Sequence, residues 1–315
     1  MSETSQQDSA NDVDEGSVNI VDVWNDNLED EFARISSVVD KYPYLAMDTE
    51  FPGIVYKPYN GTFFKSKEDY QYKVVACNAN HLKLIQVGFA LMNEKGELPL
   101  DNTVWQFNFH FDLAVDPNAQ NSIDLLKNSK IDFDRHKKEG IRMSDFGILL
   151  TTSGLICDER VTWITYHSAY DFCYLMRCIM LTFLPKEEEQ FFKYLRCIFP
   201  KCYDVKVLAE NANGGFRGGL QDLGNKLKVV RHGIQHQAGS DSLLTGRTFF
   251  LLKQTSFQDN WVEVAGKLKN HIYGMTNTFS VTTIKTEQVQ YQPSNFYFPP
   301  LPVTLAPPPL QMPFP

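Results

Sequence analysis

Tyr44-Leu-Ala-Met-Asp-Thr-Glu-Phe51 is the stretch from which the fold is read. Its apolar first half, as part of 42–51, predicts a buried strand. In a strand, residues i and i+2 point to the same face, so Asp48 and Glu50 stand side by side. Adjacent carboxylates repel, and a buried charge without a partner is costly. A divalent cation between them relieves both problems. A lone D-x-E equally suits two surface acids on an edge strand, so the weight falls on further acids downstream, each at the end of a strand or the start of a helix.

Upstream of this strand, Val23, Trp24, Leu28, Phe32, Ile35 and Val39 recur at helical spacing and predict an amphipathic helix. Downstream, 52–81 are rich in Gly, Pro, Tyr and Lys and read as a long loop or lid. Segments 82–92 and 103–111 read as two strands joined by a turn at 93–97. Short helical stretches follow in 120–155, then a strand at 161–167 and a helix at 169–181. Pro185, with glutamates behind it, opens another helix. A strand–helix junction at 203–208, a helix at 218–229, a strong helix with Ser240 as N-cap and a last helix at 261–270 complete the body. Strands interleaved with helices predict an α/β protein with one mixed sheet, antiparallel early and parallel later, flanked by helices. Residues 1–16 are polar, acidic and aperiodic, and predict a disordered arm. Residues 276–315 hold two charges, Lys285 and Glu287, and nine of the sixteen prolines, and predict an extended spacer or docking tail. The catalytic domain is expected over 17–275.

The 315 residues suffice for one large domain or two small ones. No apolar run reaches the ~18–20 residues that span a bilayer, and the first residues carry neither a basic nor an apolar signal segment. A soluble, intracellular protein without membrane contact is expected. Its six cysteines, none in C-x-x-C spacing, read as reduced and mostly buried thiols. The net charge of −8 is unevenly placed: 1–33 hold ten acids and no Lys or Arg, and the remaining 28 acids face 30 bases. Such a body does not attract nucleic acid by a global field, so a nucleic-acid enzyme here relies on local Lys/Arg and bound metal.

Asp171, in His167-Ser-Ala-Tyr-Asp171, follows a strand and begins a helix, a junction where ligands gather in α/β sheets. By itself it suits a helix dipole. Asp241, five residues after His236 in a Gly-flanked loop, by itself suits a first helical turn. Together, four carboxylates and one histidine are the donor set of a two-metal phosphodiesterase, in which two Mg2+ ions about 3.5–4 Å apart clamp the attacking and leaving oxygens. Oxygen donors favour Mg2+ or Mn2+ over Zn2+, and the histidine suits proton abstraction.

The segments Met47–Gly53, Asp69–Tyr72, Trp105–Phe109, His167–Asp171 and His236–Gly246 resemble the CCR-associated-factor (Caf/Pop) deadenylases, DEDD-type 3′ exoribonucleases of the CCR–NOT complex. The resemblance spans about 18–275 and excludes the arm and tail. The loop 56–66 is somewhat longer than the family pattern. What it implies is an RNase H-like single catalytic domain that removes poly(A) from mRNA 3′ ends and releases AMP. It implies that Asp48 bridges both metals, Glu50 and Asp241 hold the water-activating one, Asp171 holds the second through water, and His236 is the general base. Implied partners are poly(A) RNA, the CCR–NOT scaffold subunit, a second (CCR-type) deadenylase and BTG/Tob-type regulators. Implied locations are the cytoplasm, including mRNA-decay foci, and the nucleus. Phe51 suits either adenine stacking or the core. Lys57, Lys65 and Lys67 suit either phosphate contacts or a solvated face. The glycine-rich 213–220 lacks G-K-[ST] and is not a P-loop. An adaptor role, or an exonuclease acting on DNA or on other RNA tails, are the competing readings.

Overall fold

A computed structural model describes residues 17–59, 64–212 and 214–275. The arm 1–16, the tail 276–315 and part of the longer loop therefore lie outside the described residues. Among the described residues six strands, β1 (Asn19–Val23), β2 (Tyr44–Glu50), β3 (Gln86–Met92), β4 (Thr103–Asn108), β5 (Thr162–Thr165) and β6 (Cys202–Asp204), form one sheet in the order β1-β4-β3-β2-β5-β6. β3 pairs antiparallel with β2 and β4, and the other pairings are parallel. With β1 set aside, the order is that of an RNase H-like sheet, third-second-first-fourth-fifth, with only the second strand reversed.

The helices are α1 (Leu28–Val38), α2 (Lys67–His81), α3 (Gln120–Asn128), α4 (Phe133–Glu139), α5 (Met143–Thr152), α6 (Ala169–Met180), α7 (Glu188–Ile198), α8 (Val205–Asn211), α9 (Leu220–Leu227), α10 (Ala238–Thr255) and α11 (Trp261–Leu268). They cover both faces of the sheet, which is why its strands read as nearly continuous apolar runs. Leu45 and Met47 of β2 join Phe32 of α1, Phe146 of α5 and Phe172 of α6 in one core. Ala46 joins Leu223 of α9 and Leu243 and Phe249 of α10 in the other. Phe146 meets the rings of Phe32, Phe89, Phe107 and Phe109 at 5.0–6.1 Å, so its truncation to Ala would cost ~3–5 kcal/mol. The period of two that splits Leu45, Met47 from Ala46 puts Thr49 on the α6 side, and Asp48 and Glu50 on the α10 side.

Several elements differ from the sequence expectation. Val23 ends a strand, β1, that the helical periodicity had absorbed. Residues 67–81 of the expected lid form α2. α7 begins at Glu188, behind Pro185. α10 begins at Ala238, so Ser240 sits inside the helix and is not its cap. Of the cysteines, 173, 178 and 202 are buried, but Cys157 and Cys197 are exposed.

Candidate active site

The end of β2, the start of α10, the β5–α6 corner and the loop before α10 meet at one cleft. Its lining includes Asp48, Thr49, Glu50, Tyr166, Arg231, His236 and Asp241, and its volume is about 510 Å3. β2 presents Asp48 and Glu50 at neighbouring same-face positions, opposite Gly88 and Gln86 of β3. Gly88 is what lets α10 come so near: a Cβ there would stand 1.9 Å from the carbonyl oxygen of Ala238. Three residues on, Asp241 Oδ2 accepts the backbone N–H of His236 at 2.9 Å. His236 takes a left-handed φ of 62°, a conformation disfavoured for a residue with a Cβ and fastened here by that bond. One donor atom each from Glu50, His236 and Asp241 lie within 4.8 Å of one another.

Asp171 arrives from the opposite side, in the first turn of α6. Thr49 Oγ1 donates to its Oδ1 at 2.6 Å, tying it to the strand between Asp48 and Glu50. The structure thus lines one cleft with Asp48, Glu50, His236 and Asp241 and ties Asp171 to the same strand through Thr49. Their charges are poorly compensated. Burial first, then the charges of Asp241 and Asp171, hold the carboxyls of Asp48 and Glu50 well above the usual range. Glu50 adds to the effect on Asp48, and Arg231 opposes it. Burial pushes Asp171 up to about 7, against the Thr49 hydrogen bond and with help from Asp204. Crowded oxygen donors that resist ionisation without a counter-charge fit a hard divalent cation.

Three residues of this neighbourhood carry no assignment from the sequence. Arg231 Nη1 lies 2.5 Å from Asp241 Oδ1 and 2.9 Å from Ser240 Oγ, and Nε donates to Gln221. Thr49 lies inside the D-x-E itself. Asp204, 2% exposed, accepts the N–H groups of His167, Ser168, Lys206 and Tyr273 at 2.8–3.1 Å and the hydroxyl of Ser168. It ties down the corner that carries Asp171. An acid at a strand end was the available signal for it, but its four partner residues come from three stretches of the chain.

The RNA-contact candidates fall differently. Phe51 stacks on Tyr170, with centroids 4.7 Å apart and planes at 18°, and packs against the α6 side core. Lys57 is exposed. Lys65 pairs with Glu187 at 2.5 Å.

A family model described as CAF1 family ribonuclease matches residues 23–145 and 151–249. The chain is 49% identical over 267 residues to a Caenorhabditis elegans protein named CCR4-NOT transcription complex subunit 7, covering 84% of this chain and 86% of that one. It is 44% identical to the Schizosaccharomyces pombe poly(A) ribonuclease pop2 over 276 residues, 87% of this chain and 81% of the other. Among solved structures, the Mg2+- and Mn2+-bound form of S. pombe Pop2p superposes with a TM-score of 0.77 at 44% identity, covering 81% of this chain and 99% of that one. A structure of the yeast NOT1 MIF4G domain co-crystallised with CAF1 gives a TM-score of 0.67 at 30% identity, with coverage of 81% and 96%. The matched residues include every acid of the cleft and His236, and the chain belongs to the CAF1 family of ribonucleases.

Proposed function

We propose that the domain over 17–275 is a metal-dependent 3′–5′ exoribonuclease that shortens poly(A) tails and releases AMP. The observation that carries the reading is the convergence of Glu50, His236 and Asp241 within 4.8 Å, with Asp48 beside Glu50 and Asp171 fastened to the same strand. Asp48, Glu50, Asp171 and Asp241 are the residues that would hold two divalent cations, Mg2+ or Mn2+. Bound there, the cations would lower the pKa of a water and offset the charge developing on the phosphate. In this reading Asp48 would serve both cations, Glu50 and Asp241 one of them, and Asp171 the other. His236, beside Glu50 and Asp241, takes the proton from the attacking water at a ring nitrogen. Its left-handed backbone and its N–H bond to Asp241 hold the ring at the cleft.

Relatives named as a CCR4-NOT subunit and a poly(A) ribonuclease support both the substrate and membership of that complex. The NOT1–CAF1 co-crystal supports a scaffold partner. A second, CCR-type deadenylase and BTG/Tob-type regulators complete the proposed partners. The proposed address is that of the substrate: cytoplasm, including mRNA-decay foci, and nucleus.

The test is a gel assay with Mg2+ and two 5′-labelled RNAs, one ending in about twenty adenosines, longer than a typical ~4–16-nucleotide single-strand site, and one in cytidines. A ladder on the adenosine tail, absent with Asp48→Ala and with Asp241→Ala, is expected. Turnover that survives either substitution in folded protein would overturn the site. Silence on both RNAs with Mg2+ and Mn2+ would favour the adaptor reading.

A further inference from the structure

The strand pairing continues the rows of the acid pair across the sheet. Asp48 stands opposite Gly88, Gly88 opposite Gln106, and Gln106 opposite Asp22. One step along, Glu50 stands opposite Gln86, and Gln86 opposite Asn108. Directly paired strand residues share a face, so these polar side chains lie on the α10 side together with the acids. Gln86, Gln106 and Asn108 are 2%, 4% and 1% exposed. Three buried amides on a sheet covered by a helix need partners, and the way they find them is specific.

The first N–H groups of an α-helix have no partner within the helix, and the cap residue of α10, Gln237, makes no side-chain cap bond. The sheet supplies the acceptors. Gln86 Oε1 takes the N–H of Ala238 at 3.2 Å, and Gln106 Oε1 takes that of Gly239 at 3.0 Å. The amide nitrogens find other acceptors. Gln106 Nε2 donates to Gln237 Oε1 at 2.8 Å and to Asp22 Oδ1 at 2.9 Å. Gln86 Nε2 donates to Asn108 Oδ1 at 2.8 Å, and Asn108 Nδ2 to Asp22 Oδ1 at 3.1 Å. A carboxylate only accepts, so Asp22 fixes the direction of the whole ladder and keeps the amide oxygens turned toward α10.

We propose that Gln86 and Gln106 are positioning residues for the nuclease site, setting the height and rotation of the α10 N-terminus above the sheet. Asp241 and His236 flank that N-terminus, whereas Glu50 and Asp48 are fixed to β2. The distance between the two sets is therefore the distance the ladder maintains. At the close approach that Gly88 permits, the two amide bonds fix the helix start on the sheet. Asp22, at an exposed position of β1, acts at the far end by orienting the amides. This proposal rests on the nuclease reading above.

The test uses the full chain, with kcat, KM for the adenosine-tailed RNA, the Mg2+ concentration for half-maximal activity, and thermal stability measured for each variant. Gln106→Leu and Gln86→Leu keep the volume and remove the acceptor. Each is expected to raise the Mg2+ requirement or lower kcat by about tenfold, the lower end of what loss of a supporting partner costs at a metal site, with KM for RNA nearly unchanged. Asp22→Leu, at an exposed position of β1, is expected to move the same readouts in the same direction by a few-fold. Phe32→Leu, in the core on the opposite face, is the control for lost stability alone. The proposal is overturned if the amide variants keep the wild-type kcat and Mg2+ requirement. It is also overturned if Phe32→Leu, at equal loss of thermal stability, moves them as far. Failure of the nuclease reading is separate: it would show as wild-type activity that needs no metal or that survives Asp48→Ala.

Discussion

Thr49 Oγ1 donates to Asp171 Oδ1 at 2.6 Å, across 122 residues of chain. The middle residue of the D-x-E thereby joins the two faces of the sheet: its neighbours hold their carboxylates toward α10, and its own hydroxyl holds the carboxylate of α6. A hydrogen bond to a charged group contributes about 1.5–3 kcal/mol. Thr49→Val keeps the shape and removes the donor. Turnover per bound RNA should fall about tenfold or more, with little change in the far-UV spectrum, and steady-state kinetics at saturating Mg2+ would check it. An unchanged kcat would show that Asp171 needs no such tether.

The raised carboxyls make a signed prediction for metal-free protein. Asp171 titrates at about 7 in the fold against 3.8 for an ordinary aspartate, and Asp48 and Glu50 shift in the same direction. Between those values the folded state holds protons that the unfolded chain has released, so this contribution to stability falls as pH rises through that range. In EDTA, wild type should lose stability relative to Asp171→Asn between about pH 4 and pH 7. Divalent cations bind the deprotonated set, so Mg2+ should raise the melting temperature more at pH 8 than at pH 5.5. Differential scanning fluorimetry with and without Mg2+ over this range tests both. A Mg2+ effect that is the same at both pH values would argue against cation binding by these carboxylates.

The parts of the fold that were legible in the sequence are those whose neighbours in sequence decide them. β2 shows itself because both faces of its first half are apolar, and α6 because a long, largely apolar run without Gly or Pro follows β5. β1 hid because Val23 and Trp24 continue the helical spacing of α1, and because its five residues pair only with β4. α2 hid because its buried residues, among them Tyr72, Val74, Val75 and Asn78, fall on several sides, not on one stripe. Asn78 itself meets the backbone of Val55 and Tyr56 at 2.8–2.9 Å. At the site, five residues were readable because their chemistry is rare in combination. Arg231, Asp204 and the amide ladder were not, since an arginine in a loop or a glutamine in a strand acquires meaning only from what the sheet brings to it. The start of α10 is the sharpest case: Ser240 has the right chemistry for a cap, but the caps come from Gln86 and Gln106, more than a hundred residues away.

His236→Gln retains a polar side chain at the cleft without a group that takes a proton. Loss of a general base costs typically 10²–10⁴-fold in rate, and kcat should fall within that range while the RNA still binds. A filter-binding measurement beside the gel assay separates the two. If binding and turnover fall together, His236 supports the site's structure and does not move a proton.

Arg231 supplies the positive charge nearest Asp241 when no cation is bound. The two side chains are 12% and 9% exposed, so their pairing is screened weakly. The guanidinium is also held by Ser240 and Gln221. Removing one partner of a buried pair leaves the other uncompensated, at a cost of about 3–5 kcal/mol. Arg231→Met keeps most of the side-chain length and removes the charge, so in EDTA its melting temperature should drop by several degrees. A divalent cation held by Asp241 with its cleft neighbours Glu50 and His236 would supply that charge instead. The deficit of Arg231→Met should therefore shrink markedly at saturating Mg2+. Melting curves of the two proteins in EDTA and in Mg2+ make the comparison. A deficit of the same size in both would mean that Arg231 holds the loop by its hydrogen bonds alone and does not balance the charge of the site.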